Sequence, residues 1–394
     1  MKLLHTSDWH IGRTFHGHPT LDALRVVLAD LVQQTRERGV DVVLVSGDVF
    51  DSAMPAAEHF TLLTETLTAL RATGARVIVT SGNHDSAARL GFQASLLAAS
   101  GVHMMTNPEA FLTPVIVPDT DGPVAFYGIP YLEPALFRHR HPGERLARHD
   151  DVLGFVLDRI RADAARRGGR YVVLSHCFAA GLDASVGTPV DAPADSPGVE
   201  RDITAGGIDY VSRDRFLGPD YVALGHIHGR AVLADGIRYS GAPLHYAFSE
   251  AKKPRGAWLV TLDADGLAGT EWLTLPVPRQ LTVLTGEIDH LLADPALAGH
   301  ENDWVCAILT DTVRPLDPMS RLQKRFPGCA TLEHRPTIVV EDDGERYAAR
   351  VRSKTDPEIV AAFLSHVRNG RGPSSQETGL IAEAWGELDA GEPR

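Results

Sequence analysis

The sequence predicts an α/β protein with two β-sheets. Short runs rich in valine, leucine and isoleucine, about four to six residues long, are typical of buried strands. Amphipathic helical segments alternate with these runs over the first half of the chain, and this alternation is typical of α/β folds. Beyond residue 230, apolar and polar residues alternate as they do in antiparallel strands, so these segments are expected to complete a second sheet.

Three strand–helix units begin the chain. Their strands are predicted at residues 2–6, 42–45 and 77–79, where apolar residues are continuous. The first helix is predicted in the segment LDALRVVLADLV, in which leucine recurs at helical spacing. The second helix is expected to open at Pro55, because proline is accepted in a first helical turn. The third is expected to run through residues 90–97 as one helix.

The middle of the chain continues the alternation. Strands are predicted near Val115 and Phe126, a helix at about residues 150–167, and a further strand that ends at His176. The stretch from Ala179 to Gly198 is rich in Ala, Asp, Gly, Pro and Ser and has little apolar surface to bury. It is therefore interpreted as an exposed loop that overhangs the cleft.

The last third of the chain contains a predicted domain boundary. Before it, strands are predicted at residues 237–240, 258–262 and 272–275. Pro276 and Pro278 interrupt strand pairing, so residues 1–279 form one predicted domain and residues 280–355 a smaller α+β domain.

Residues 356–394 are expected to form a helix–loop–helix tail. Each helix has an apolar face, and Trp385 is its expected anchor. Such a tail either packs on its own domain or docks onto a helix of a partner protein.

Size and composition narrow the classes of function. At 394 residues the chain exceeds the usual size of a single hydrophobic core, which favours two domains. The net charge of −13 excludes a broad basic surface that coats DNA, so any contact with nucleic acid must be local or shared with a partner. No apolar run is long enough to span a bilayer, no signal peptide begins the chain, and three separated cysteines suit a reducing compartment. We therefore expect a cytoplasmic protein with no membrane contact.

Polar clusters at the ends of five predicted strands carry the functional prediction. Ligands in open α/β sheets bind beyond the carboxyl ends of strands, so these clusters are expected to converge on one crevice. Carboxylate, amide oxygen and imidazole together suit Mn, Fe or Zn better than Ca or Mg, and two metal ions are expected. The clusters are LLHTSDWH with Asp8 and His10, VVLVSGDVFD with Asp48, RVIVTSGNHD with Asn83, His84 and Asp85, YVVLSH with His176, and YVALGHIHG with His226 and His228.

The ordered motifs resemble the calcineurin-like metallophosphoesterase superfamily. Within it, TSDWHIG, GDVFD, SGNHDS, VERDITAGGIDYV and YVALGHIHG are similar to the SbcD family, the nuclease subunits of bacterial SbcCD complexes. The resemblance is strong over about residues 1–280 and weak beyond. It implies a two-sheet sandwich flanked by helices, the metallophosphoesterase fold, followed by a smaller α+β capping domain for DNA recognition and by C-terminal helices.

The resemblance also implies a role for each motif residue. Asp8, His10 and His228 would hold one metal ion, Asn83, His176 and His226 the other, and Asp48 would bridge both. His84 would assist catalysis, with Asp85 orienting it. Asp51 stands where some relatives carry a histidine, which leaves its role open. His16 and Arg89 are candidate substrate contacts, although a position on a helix surface explains Arg89 better.

The activity implied by the resemblance is that of a metal-dependent DNA nuclease in DNA repair, recombination and replication. We expect 3'-to-5' exonuclease action on duplex DNA, endonuclease action on single strands and hairpins, and Mn as the metal. The expected partner is an SbcC-type coiled-coil ATPase, with the chain a homodimer within a heterotetramer. This chain has no Walker-type phosphate loop, so ATP must be used by another subunit. Two alternatives stay open, a stand-alone phosphatase or cyclic-nucleotide phosphodiesterase and a non-enzymatic tether of DNA ends.

Overall fold

The computed structural model describes residues 1–180, 210–337, 354–368 and 370–391. Ala179 and Ala180 belong to a short strand, while the rest of the loop predicted up to Gly198 and most of the VERDITAGGIDYV motif lie outside the described residues. The chain divides into two compact units, residues 1–279 and 280–394. Within the described ranges, no helix combines the length and the apolar character needed to cross a membrane.

The first unit contains two mixed six-stranded sheets. Its strands are β1 (Lys2–Thr6), β2 (Thr14–Phe15), β3 (His18–Pro19), β4 (Val42–Ser46), β5 (Arg76–Thr80), β6 (Val102–Met105), β7 (Val115–Val117), β8 (Val124–Ile129), β9 (Arg170–His176), β10 (Phe178–Ala180), β11 (Tyr210–Ser212), β12 (Tyr221–Gly225), β13 (Ala231–Ala234), β14 (Ile237–Tyr239), β15 (Gly256–Asp263) and β16 (Gly266–Thr274). The first sheet has the order β16-β15-β1-β4-β5-β6, and the second has the order β13-β14-β12-β9-β8-β7.

The strands that precede the polar clusters are parallel neighbours. In the first sheet β1, β4 and β5 run parallel, and β15 adds to the edge of β1 in the antiparallel sense. In the second sheet β9 runs parallel to both β8 and β12. Each sheet therefore brings its clusters to one edge, because the carboxyl ends of parallel strands point the same way.

The two sheets pack face to face around an apolar core. Successive side chains of a strand point to opposite faces, so the continuous apolar runs supply both sides of each sheet. Leu44 of β4 lies in the core between the sheets with Phe126 and Leu174 of the second sheet, whereas Val43 and Val45 pack under the helices. Burying one such side chain stabilises the fold by about 1.5–3 kcal/mol. The predicted sandwich of two sheets flanked by helices is therefore confirmed.

Helices cover the outer faces of the sandwich. They are α1 (Leu21–Arg38), α2 (Ala57–Ala72), α3 (Ala87–Leu90), α4 (Ala94–Ala99), α5 (Pro134–Phe137) and α6 (His149–Arg167). Helices α1 and α2 pack on the first sheet and α6 packs on the second.

Two helix predictions require correction. The helix α2 begins two residues after Pro55, with Ala56 at its N-cap, so proline precedes the helix and does not open it. The single helix predicted over residues 90–97 is instead the pair α3 and α4. The break follows from Gln93, which has a positive φ of 60° that a continuous helix cannot contain.

The second unit contains a three-stranded parallel sheet. Its elements are β17 (Leu281–Gly286), α7 (Ile288–Ala293), β18 (Trp304–Leu309), α8 (Pro318–Arg325) and β19 (Cys329–His334), with the sheet order β17-β18-β19. In the described part of this unit, the three strands are parallel and helices α7 and α8 lie between them along the chain. Ile288, Leu322 and Phe326 anchor its core.

The helix–loop–helix of the tail is present as α9 (Asp356–Val367) and α10 (Ser375–Gly391). A capping box starts α9, in which the Glu358 carboxylate accepts the backbone N–H of Thr355 at 2.8 Å. Arg368 and Glu377 form a bidentate ion pair between the helices, with N···O distances of 2.8 and 3.0 Å. No described residue of α9 is buried, and the side chain of Phe363 is 50% exposed.

Candidate metal centre

The polar clusters meet where the ends of the two sheets touch. The Ser46 hydroxyl at the end of β4 donates to the carbonyl oxygen of Ala223 in β12 over 3.0 Å, which ties one sheet to the other. The carbonyl oxygen of Ser46 accepts a hydrogen bond from His176 Nδ1 at 2.9 Å. A Cβ atom on Gly225 would lie 1.9 Å from that carbonyl oxygen, so only glycine permits this approach.

The backbone at the site adopts conformations that L-residues rarely use. Among the described residues, seven other than glycine have a positive φ, and four of them are predicted metal ligands: Asp8 at 53°, His10 at 45°, Asp48 at 49° and His226 at 109°. Such residues cost about 1–3 kcal/mol each and cluster at functional sites, where the surrounding structure holds them. The strain therefore marks the strand ends as built for ligand geometry.

Three predicted ligands form one half of the centre. His10 Nε2 and His228 Nε2 lie 3.1 Å apart. A carboxylate oxygen of Asp8 lies within 4.8 Å of the ring nitrogens of both histidines. The Asp8 carboxylate is fixed by two hydrogen bonds. It accepts one from the Ser7 hydroxyl and one, at 3.0 Å, from the backbone N–H of His226. We call Asp8, His10 and His228 the inner triad, because Asp8 and His10 are fully buried.

The other three predicted ligands form a second half. Asn83 Oδ1 lies 3.0 Å from His176 Nε2 and 3.1 Å from His226 Nδ1. We call Asn83, His176 and His226 the outer triad, because Asn83 is exposed to solvent. Asp48 lies between the triads, with Oδ2 3.3 Å from His176 Nε2 and 3.6 Å from His10 Nε2. The structure thus brings all seven predicted ligands together.

The donor set fits divalent cations. The Nδ1 atoms of three histidines face acceptors: Ser46 O for His176 at 2.9 Å, Glu250 Oε1 for His228 at 3.2 Å and Asp51 Oδ1 for His10 at 3.2 Å. Asp51 faces His10 Nδ1 as a nearby negative charge that favours a proton on this nitrogen, although the two atoms do not form a hydrogen bond. Each Nδ1 therefore carries a proton, and each Nε2 faces the same cavity as the carboxylates. When these Nε2 atoms are unprotonated, their lone pairs repel one another unless a cation lies between them.

The pKa shifts in the metal-free protein also indicate a need for positive charge at this site. Burial by itself lowers the pKa of His176, but Asp48 and Asp8 outweigh burial and raise this pKa to about 9. Burial raises the pKa of Asp8, whereas for Asp48 the attraction of His176 and His10 outweighs burial and keeps the pKa well below its usual value. A proton on His176 thus stands in for positive charge that a metal ion would supply.

His84 borders both triads. Its backbone N–H donates to Asp48 Oδ1 at 3.0 Å, and its Nδ1 donates to the carbonyl oxygen of Asp51 at 3.0 Å. The ring makes an edge contact with His10, with centroids 4.9 Å apart. A nitrogen of His84 also lies within 4.8 Å of ligand atoms of His10 and Asp48. His84 thus lies beside the predicted ligands His10 and Asp48.

The expectation that Asp85 orients the His84 ring is corrected by the geometry. The Asp85 carboxylate accepts backbone N–H groups of Gly82, Val49 and Phe50 at 2.8–3.1 Å, while the Asp51 carbonyl binds the His84 ring. Asp85 therefore joins the loops that follow β4 and β5, because its short side chain reaches these amides from the turn.

The two candidate substrate contacts lie on the surface of the first unit. The exposed His16 ring packs against Phe15 and Phe248, with centroid distances of 4.8 and 5.3 Å. Arg89 is an exposed residue of α3, and its backbone N–H donates to the N-cap hydroxyl of Ser86. Neither arrangement assigns them a ligand.

Several residues around the centre were missed from the sequence. Glu250 and Arg255 are almost fully buried behind His228, and the Tyr246 ring lies 5.5 Å from the His10 ring. Although burial opposes ionisation, His228 and Arg255 lower the pKa of Glu250 to about 2, so it is a carboxylate. The missed residues lie in the segment YAFSEAKKPRG, which contains no motif of metal ligands. The only available signal in the sequence was a charged residue next to apolar strand residues.

Comparisons with known proteins agree with this architecture. Residues 1–230 match the family described as calcineurin-like phosphoesterase, more than half of the chain. Residues 277–368 match SbcD_C, described as the type 5 capsule protein repressor C-terminal domain.

Similar solved structures include TT1561 of Thermus thermophilus, with 12% identity, a TM-score of 0.39, and coverage of 69% of this chain and 98% of that one. A dimetal phosphatase from Danio rerio has 13% identity, a TM-score of 0.38, and coverage of 70% and 99%. A putative 5'-nucleotidase from Staphylococcus aureus has 12% identity, a TM-score of 0.37, and coverage of 70% and 54%. At these values the assignment rests on the family matches alone.

The site and the family matches agree on the general chemistry. Clustered carboxylates and imidazoles supply ligands for divalent metal ions, and the matched family hydrolyses phosphoesters. The chain therefore belongs to the calcineurin-like phosphoesterase family, as an SbcD-type metallophosphoesterase.

Proposed function

We propose that this protein is the nuclease subunit of a DNA-processing complex and acts with an SbcC-type coiled-coil ATPase in the cytoplasm. One observation carries the proposal: a phosphoesterase unit with clustered candidate ligands for divalent cations is joined to a second unit that matches SbcD_C. A hydrolase of small phosphoesters has no evident use for such a unit.

The proposed ligand assignment follows the two triads. The inner triad and the outer triad would each hold one divalent cation, with Mn the expected metal, and Asp48, which lies between the triads, would serve both. Cations bound there would lower the pKa of a bound water and neutralise charge on the phosphoryl group. The carboxylates of Asp8 and Asp48 leave the loaded centre with a formal charge of about +2, which favours an anionic substrate.

His84 is proposed to assist the departure of the leaving group. The Asp51 carbonyl fixes the proton on Nδ1, so the imidazolium form can donate from Nε2 to the oxygen on which charge develops. His16 and Arg89 remain candidate contacts for the DNA strand.

The remaining parts of the chain are proposed to serve substrate and partner. Residues 1–279 would form the nuclease domain and residues 280–355 the domain that recognises DNA. Lys324, an exposed residue of α8, offers local positive charge there, whereas Arg321 and Arg325 on the same helix pair with Asp289 and Glu301. Residues 356–394 would dock the ATPase through the exposed apolar face of α9, within a heterotetramer that contains two copies of this chain.

The test uses the purified full chain loaded with Mn²⁺, with and without the ATPase partner. Substrates are an end-labelled DNA duplex, a DNA hairpin and a chromogenic phosphate monoester. We expect shortening of the duplex from its 3' ends and opening of the hairpin, with both reactions abolished in Asp48→Asn. Cleavage of the monoester alone would identify a stand-alone phosphatase, and metal-loaded protein that holds DNA ends without cutting them would identify a tether.

A further inference from the structure

The two halves of the proposed centre differ in charge and in exposure. The inner triad contains a carboxylate of its own, Asp8, which is buried together with His10, whereas His228 is partly exposed. The outer triad contains the neutral amide of Asn83, which is exposed. Asp48 serves both halves, so the difference between Asp8 and Asn83 is one full negative charge in favour of the inner triad.

The groups behind the histidines also differ. Both inner histidines face a carboxylate, since Nδ1 of His10 lies 3.2 Å from Asp51 and Nδ1 of His228 lies 3.2 Å from Glu250. In the outer triad, Nδ1 of His176 faces only the neutral carbonyl oxygen of Ser46. A carboxylate behind an imidazole fixes its tautomer, orients the ring and makes its other nitrogen a stronger donor.

Glu250 is held more firmly than a surface carboxylate could be. Its second oxygen accepts Arg255 Nη2 and the backbone N–H of Tyr246, both at 2.9 Å. Arg255 also donates to the carbonyl oxygen of His228 and, at 3.2 Å, to that of Ala242. Glu250 and Arg255 therefore fix both the ring and the backbone of His228. Arg255 offsets part of the negative charge of Glu250. Glu250 therefore acts mainly by orienting the His228 ring and by making the other ring nitrogen a stronger metal ligand.

We propose that Glu250 is a positioning residue for His228 and that, with Asp51 behind His10, it makes the inner triad bind its cation first and more tightly than the outer triad. The inner cation is then resident, while the outer cation exchanges through the open side at Asn83. This inference rests on the proposed ligand assignment. It concerns Mn²⁺ binding alone and requires no DNA.

The test is calorimetric titration of Mn²⁺ into the metal-stripped full chain, with electron paramagnetic resonance to count free Mn²⁺. We expect two unequal steps. Glu250→Gln and Asp51→Asn should each weaken the tighter step about 10- to 100-fold and leave the weaker step within a few-fold. Glu250→Asp, which keeps the charge, should recover part of the affinity. Asn83→Ala should abolish the weaker step only.

Asp163→Asn is the matched control. Asp163 is also a buried carboxylate, but it pairs with Tyr127 on β8 and with Arg166 and Arg167 on α6, and none of these is a proposed ligand. Both binding steps should survive in it. If Glu250→Gln does not fold because Arg255 loses its partner, Asp51→Asn decides alone, since Asp51 is partly exposed and its loss is better tolerated.

Two equal steps in the parent protein, or a Glu250→Gln or Asp51→Asn variant that weakens the looser step, would overturn the inference and leave the nuclease proposal intact. Loss of the tighter step in Asn83→Ala would overturn it as well. Failure of the parent to bind any divalent cation would instead refute the proposed function on which the inference rests.

Discussion

The Nδ1 atom of His84 donates a hydrogen bond to the backbone carbonyl oxygen of Asp51 over 3.0 Å. A carbonyl oxygen can only accept, so this contact places the proton on Nδ1 and keeps Nε2 available. Because the acceptor belongs to the backbone, no side-chain substitution at position 51 removes it. His84 is therefore fixed beside the metal positions independently of the residue type at 51.

His84→Gln should abolish most cleavage while sparing metal content. We expect the rate of DNA cleavage to fall about 10²- to 10⁴-fold, the usual contribution of a positioned acid or base. The measurements are single-turnover cleavage of a labelled duplex and metal analysis of the same sample. Loss of a metal ion in this variant would instead identify His84 as a ligand. His84 lies close enough to His10 and Asp48 for this outcome to require the metal analysis.

The ligand cluster could be predicted from the sequence because it depends on simple geometry. Continuous apolar runs indicated buried strands, and parallel strands bring their carboxyl ends to one edge, so Asp8 and Asp48 had to lie close together. Orientation within the turns could not be predicted in the same way. The His84 ring binds the carbonyl of Asp51, whose role had been left open, and not Asp85 as expected, because which residue reaches the ring depends on backbone angles that residue identities do not reveal.

Asp48→Asn should remove both metal ions, whereas Asn83→Ala should remove one. Asp48 Oδ2 lies within 3.6 Å of ring nitrogens from both triads. The amide of asparagine has no charge and only one oxygen that could bind a metal ion strongly. Metal analysis after dialysis in limiting Mn²⁺ would show a stoichiometry near zero for Asp48→Asn. Retention of one ion would mean that Asp48 serves a single triad.

Gly47→Ala should displace His176 and weaken metal binding. Gly47 has a φ of +81°, and a Cβ atom there would lie 2.3 Å from His176 Nδ1. Gly74→Ala is the matched control, because Gly74 has a φ of +97° and open space around its Cβ position. Both variants should lose about 1–2 kcal/mol of stability from the left-handed backbone. Only Gly47→Ala should also lose Mn²⁺ affinity, as measured by calorimetry; equal affinities in the two variants would contradict the packing argument.

Glu250 and Arg255 show why the surroundings of the centre escaped prediction. They follow the last ligand, His228, by more than twenty residues and reach it only because the chain after β14 folds back toward the strand ends. The spacing of residues along the sequence does not indicate that the chain returns to the site. Buried charged residues are rare unless they are paired, so their burial becomes informative only once the structure is known.

Phe363→Asp should weaken binding of the ATPase partner without disturbing the metal centre. Phe363 lies on α9 with half of its surface exposed, so a charge there costs the fold little but would be unfavourable in an apolar interface. The control is Leu316→Asp, since Leu316 is 85% exposed in the same unit and lies outside α9. We expect at least about a tenfold loss of affinity, or about 1.4 kcal/mol, for Phe363→Asp alone in a binding titration with the partner's coiled coil. Metal content should stay at the parent value in both variants. Equal affinities for the two variants would show that α9 does not dock the partner and that its apolar face has another use.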